Sequence, residues 1–204
     1  LSMTGCHLIL LDIRKKKTDD LKKKLTKISS KEILNYKFDA NKENDYKKIL
    51  KIISKKFKKI DVLINGAGIN TPKNIFDLSI KEWNDVVQSH INTTFLSCKF
   101  FGKFMVRKKR GSIINFSSAS ADPPLSKAFP YSVGKAGVKN LTKNLAREWA
   151  SSGVRVNCIR PGFFPTEWNL KNFIDSKRKK DILRHTPINR FGNVKELIPP
   201  ILLL

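Results

Sequence analysis

Short apolar runs of strand length alternate along this chain with longer stretches in which apolar residues recur every three or four positions. Residues 7–12, 33–38, 60–65, 111–118 and 154–159 read as buried strands built around Ile, Leu, Val and Phe. Residues 19–28 and 43–57 read as lysine-rich amphipathic helices, and residues 80–107 as one long helix. From Tyr131 onward, Val133, Ala136, Val138, Leu141, Leu145, Ala146 and Trp149 keep a helical period until Ser152-Gly153 stops it. Strands alternating with helices predict an α/β fold, a doubly wound parallel sheet with helices on both faces. No internal repeat or flexible linker breaks the pattern, so residues 1–204 are expected to form one domain.

Composition narrows the setting. At 204 residues and 40% hydrophobic, the chain can bury a real core. It has no apolar run near the roughly 20 residues of a membrane span and no visible signal peptide, so a cytoplasmic protein without a membrane partner is expected. The three cysteines, Cys6, Cys98 and Cys158, are odd in number and lack Cys-x-x-Cys spacing, which favours a reducing compartment. His7, His90 and His185 show no ligand-like spacing, and no metal site is expected. The net charge of +24 would suit a polyanion binder. Its lysines, however, are spread over helix faces with no nucleic-acid-reading motif among them, so specific nucleic-acid binding is not expected.

The candidate chemistry lies in Tyr131-Ser132-Val133-Gly134-Lys135, with Ser118 thirteen residues earlier. On a helix, positions four apart share a face, so the Lys135 ammonium can sit near the Tyr131 phenol and favour its ionised form. A phenol of pKa about 10 could then act as acid or base near neutral pH. Ligands of open α/β sheets bind at the carboxyl ends of strands. That places Ser118, after one strand, on the same edge as Pro161-Gly162, after the next. Asp12 and Asp39 also sit at strand ends. Either could be a loop or capping carboxylate, and either could meet the adenosine part of a dinucleotide.

Taken in order, Asp12, Asp39-Ala40, Asn65-Gly66-Ala67-Gly68, Asn92, Ser118, Tyr131/Lys135, Pro161-Gly162 and Thr166 resemble the short-chain dehydrogenase/reductase family over nearly the whole chain. The resemblance implies a Rossmann-like fold, a nicotinamide dinucleotide cofactor and a small-molecule substrate. It implies catalytic roles for Ser118, Tyr131, Lys135 and Asn92. Tyr131 would exchange the proton, Ser118 would hold the substrate oxygen, and Lys135 would lower the Tyr131 pKa and hold the nicotinamide ribose. Asn92 would fix a relay water. It further implies cofactor contacts from Asp12, Asp39, Ala40, Asn65, Ala67, Gly68, Pro161, Gly162 and Thr166. Asp12 points to NAD over NADP, softened by Arg14 and the lysines after it. The family commonly forms homodimers or homotetramers through the helices that correspond to residues 80–107 and 131–150.

Within the family, residues 63–73, 161–167 and 185–192 resemble sugar-acid members of the D-mannonate oxidoreductase and gluconate 5-dehydrogenase type. A 3-oxoacyl-carrier-protein reductase is the enzymatic rival, and a catalytically inactive oligomerising relic is the non-enzymatic one. The chain opens just before the second family strand, without the glycine-rich phosphate turn, and the last family strand is also missing. It therefore reads as an internal fragment of a longer enzyme, expected to bind NAD poorly by itself.

Overall fold

The computed structural model describes residues 1–122 and 125–204. Among these residues five strands form, all parallel: β1 (Leu8–Asp12), β2 (Ile33–Lys37), β3 (Val62–Asn65), β4 (Gly111–Phe116) and β5 (Val154–Ile159). They make two ladders, β1-β2 and β3-β4-β5. Register runs from Leu8 opposite Ile33 to Asp12 opposite Lys37, and from Gly111 opposite Val154 to Phe116 opposite Ile159. Among the described residues β1 and β3 are not hydrogen-bonded to each other, and each is paired on one side only. This matches a Rossmann-like sheet without the strand that separates them in the resembled family. On β3 the outward pair Val62 and Ile64 is 40% and 37% exposed, unusual for a parallel strand, which is normally covered on both faces.

The helices follow the apolar pattern with three corrections. Helix α1 (Lys15–Thr26) begins four residues before the expected position. Thr18 is its buried residue, so apolar spacing marks its start poorly. Helix α2 spans Glu43–Lys56 and buries Tyr46, Ile49 and Ile53. The expected long helix is three pieces: α3 (Ile80–Ser97), a single π-helical stretch at Cys98–Gly102, and α4 (Lys103–Arg107). A Cβ on Gly102 would lie 2.6 Å from the Trp149 ring. The widened turn therefore lets the backbone approach that indole while Cys98 and Phe101 also point inward. Ser79 caps α3 in a reciprocal box with Glu82.

Helix α5 (Phe129–Trp149) starts two residues early, with Pro130 in its first turn, where the missing N–H costs nothing. Next come α6 (Glu167–Asn172), α7 (Ser176–Arg184) and α8 (Ile198–Leu203). Two apolar clusters sit on the face shared by α2, α3 and α5. One joins β1 and β2 to β3 through Phe38, Tyr46, Ile49, Ile53 and Phe101, with Ile9, Leu11 and Leu63 against them. The other packs Cys98, Met105, Ile113, Val154 and Val156 against Leu145 and Trp149. The two ladders are thus held together by side chains and not by a continuous hydrogen-bonded sheet.

Candidate active site

Strand β4 ends at Phe116, two residues short of the expected Ser118, and delivers Ser117 and Ser118 to a loop. That loop is stitched to the one after β5. The Ser117 N–H donates to the Ile159 carbonyl at 2.9 Å and the Ala119 N–H to the Pro161 carbonyl at 2.9 Å. Ser118 and Pro161-Gly162 therefore share one sheet edge. The Ser118 hydroxyl caps a short turn, accepting from the Ser120 N–H at 3.2 Å and from the Ser120 hydroxyl at 3.0 Å.

Helix α5 is fastened to the same edge. The Ser117 hydroxyl donates to the Lys135 carbonyl at 2.7 Å, and the Lys135 ammonium donates to the Phe116 carbonyl at 2.7 Å. Lys135 is buried, at 6% exposure, and that burial pushes its pKa down to about 8. Its Nζ stands 5.6 Å from the centre of the Tyr131 ring. Tyr131 departs from the sequence argument: burial raises its phenol above the ordinary value, with the nearby Ser118 hydroxyl opposing that shift. With its pKa raised, the group is a phenol at neutral pH.

Asn92 requires a correction. It is exposed on α3, outside the inward stripe of Val86, Ser89, His90, Thr93, Thr94 and Ser97. The α3 residue that faces Tyr131 is His90, with ring centroids 5.1 Å apart and planes nearly perpendicular. His90 Nε2 lies 2.9 Å from the Ile69 carbonyl, which can only accept, so Nε2 carries the proton. Burial, and then the Lys135 charge, push His90 down to about 4, with the Ile69 and Ala67 carbonyls pulling the other way. His90 was legible in the sequence as an inward position of a helix period that excludes Asn92.

Asn65 also turns out differently. Its side chain enters a buried polar chain in place of lining an open face. Ser97 Oγ donates to Asn65 Oδ1 at 2.6 Å, Asn65 Nδ2 to Asn115 Oδ1 at 2.8 Å, and Asn115 Nδ2 to Thr142 Oγ1 at 2.9 Å. What remains open is the backbone of Gly66, Ala67 and Gly68, all exposed. A Cβ on Gly68 would sit 2.0 Å from His90 Cε1, whereas Gly66 and Gly162 have free space around them.

On the other ladder, Asp12 accepts from the Arg14 N–H at 2.7 Å and the Arg14 guanidinium at 3.2 Å. Burial would raise this carboxyl, but the contacts with Arg14 more than cancel it and hold the pKa below the usual range. Asp39 accepts from the Asn41 N–H at 3.0 Å and pairs with Lys42 at 3.5 Å, while the Ala40 carbonyl takes the Tyr46 hydroxyl at 2.9 Å. Both residues thus fasten the start of α2. Thr166 Oγ1 caps α6, 3.3 Å from the Asn169 N–H. The strand-end loops at 65–69 and 161–162 present exposed backbone beside Tyr131 and Lys135, a surface that fits a nicotinamide dinucleotide.

Known proteins agree with this geometry. Residues 1–177 match the family model for short chain dehydrogenase. Gluconate 5-dehydrogenase of Gluconobacter oxydans is 33% identical over 68% of this chain and 54% of its own length. The 3-oxoacyl-[acyl-carrier-protein] reductase of Thermotoga maritima is 29% identical over 98% of this chain and 80% of its own. Among solved structures, one assigned as a D-mannonate oxidoreductase from Haemophilus influenzae, with bound NAD, superposes with a TM-score of 0.90 at 30% identity. It is matched over 99% of this chain and 80% of that one. The chain therefore spans about half the length of one relative, 54%, and four fifths, 80%, of the others. The Tyr131/Lys135 helix, the Ser118 loop and the parallel strands that carry them place this chain in the short-chain dehydrogenase family of oxidoreductase enzymes.

Proposed function

We propose that this protein transfers hydride between NAD(H) and a secondary alcohol or ketone, with a sugar acid of the D-mannonate/D-fructuronate type as substrate. The observation that carries the reading is the convergence of Ser118, Tyr131 and Lys135 on the edge where β4 and β5 end. In the reducing direction Tyr131, kept as a phenol by burial, donates its proton to the carbonyl oxygen, and the Ser118 hydroxyl holds that oxygen. The bound dinucleotide supplies the hydride. Lys135 would hold the nicotinamide ribose, and its ammonium would steady the phenolate that Tyr131 becomes. Asp12, Asp39, Ala40, Asn65, Ala67, Gly68, Pro161, Gly162 and Thr166 contribute the loops that flank the cofactor. For Asn65 and Thr166 the contribution is backbone placement.

NAD is favoured over NADP because the ionised Asp12 would repel a 2'-phosphate. The likeness to a protein that binds NAD supports this. Phe95, Phe129 and Val133 leave the outer faces of α3 and α5 apolar and exposed, which supports a homodimer or homotetramer. The chain itself, and a form extended by a strand and glycine turn to lie between β1 and β3, should be assayed for NADH oxidation with D-fructuronate. Turnover lost in Tyr131→Phe supports the reading. Turnover with a 3-oxoacyl thioester alone moves the substrate to the carrier-protein reductase, and none at all favours a non-catalytic oligomer.

A further inference from the structure

The β3–α3 loop is held at one residue from two sides. The Ile69 N–H donates to Ser89 Oγ at 3.1 Å, and the Ile69 carbonyl accepts from His90 Nε2 at 2.9 Å. Ser89 and His90 are consecutive on α3, both in its inward stripe. Their attachments differ. Ser89 Oγ also donates to the Val86 carbonyl at 2.7 Å, which fixes its rotamer. His90, at 2% exposure, presses its ring edge-on against Tyr131 and leaves Nδ1 buried with no hydrogen-bond partner among the described residues. Two glycines make room for it: a Cβ on Gly68 would collide with the imidazole, and one on Gly134 would come within 3.0 Å of the His90 Cβ. The ring is therefore wedged between the loop that ends β3 and the helix that carries Tyr131 and Lys135.

We propose that His90 is a positioning residue which, with Ser89, clasps Ile69 and so sets the spacing between the cofactor-facing loop and the catalytic helix. The catalytic role of Tyr131 rests on the dehydrogenase reading, whereas the clasp rests on geometry alone. The clasp requires an imidazole with its proton on Nε2. The ionisable groups facing the ring, Lys135 and Tyr131 on α5, do not compete for that proton: the lysine ammonium is a donor only, and its charge disfavours imidazolium. An unprotonated Nδ1 remains as a buried acceptor.

Two variants separate hydrogen bond from ring. His90→Gln places an N–H at similar reach from the backbone without the ring, and His90→Phe keeps a ring without the N–H. Hydrogen exchange at the Ile69 amide is the first readout, because it needs neither cofactor nor turnover. His90→Phe leaves the Ile69 N–H on Ser89 but removes the second hold on that residue, so opening of the loop, and with it exchange, should speed by about tenfold, the factor carried by one ordinary hydrogen bond, with His90→Gln within about threefold of the parent. In turnover, His90→Phe should raise the KM for NADH by a similar factor of about ten and lower kcat by less than about threefold, again with rescue in His90→Gln. Equal behaviour of the two variants, or an unchanged Ile69 amide in His90→Phe, would overturn the clasp. Nitrogen chemical shifts of His90 supply a third check, since an Nδ1–H tautomer would also overturn it. If exchange and tautomer behave as expected while the parent shows no turnover, the clasp stands and the dehydrogenase reading falls.

Discussion

The two ladders are built on different terms. In β3-β4-β5 the surroundings of the proposed site are tied to the core: Asn115 is fully buried, Lys135 is anchored to β4, and the Ser97–Asn65–Asn115–Thr142 chain runs from α3 to α5 across the sheet. In β1-β2 every strand residue of β1 is only partly covered, and Asp12 and Asp39 hold exposed local partners, Arg14 and Lys42. Buried polar groups in a low-dielectric interior are costly to rearrange, and solvated ion pairs are cheap. The half that carries the proposed site is consequently fixed before any ligand arrives, while the half expected to meet the adenosine can adjust.

Breaking the fixed half should give the largest effects. Tyr131→Phe is expected to lower kcat by about 10²–10⁴-fold, the usual contribution of a positioned acid or base, with NADH affinity retained. A variant that keeps turnover would remove Tyr131 from the mechanism. Next comes pH. His90 titrates at about 4 in the fold against an ordinary 6.5, so the unfolded chain takes up its proton first as pH falls. Stability contributed by neutral His90 is complete above pH 6.5 and lost as pH drops through 4, a loss on the order of 3 kcal/mol by linkage. Denaturant midpoints across that window should lose part of their slope in His90→Gln.

Asn115→Leu strands the Asn65 amide and is expected to cost about 1–3 kcal/mol, read as a lower denaturant midpoint. On the adaptable side, Asn35→Ala removes contacts to Asp19 and Thr18 that are only part-buried and should cost less than about 1 kcal/mol. If the two costs prove equal, the contrast between the halves fails. Arg14→Ala frees the Asp12 carboxylate and should sharpen the preference for NADH over NADPH by about tenfold, measured as the ratio of kcat/KM values. Asn92→Ala should be the quietest, within about 0.5 kcal/mol in stability, as for other exposed positions. Turnover falling more than threefold would return Asn92 to the site, against its outward placement on α3.

The sequence by itself determined the parallel α/β class, the five strands and the shared helix face of Tyr131 and Lys135, because strand runs, helical period and i,i+4 spacing are local properties. Helix interiors were legible for the same reason, and ends were less so. Lys15 to Lys17 carry no apolar signal, and the π turn at Cys98–Gly102 sets Gly102 against Trp149, a neighbour distant in sequence. Which side chains face the chemistry was a tertiary decision. Asn92 and His90 lie two residues apart, about 200° on a helix, so naming the wrong one turns the residue to solvent. Asn65 matches a family motif, yet it spends its amide on Asn115 and Ser97, partners 50 and 32 residues away. The upward shift of the Tyr131 phenol likewise depends on how deeply the fold buries it, and burial is not a property of any local stretch of sequence.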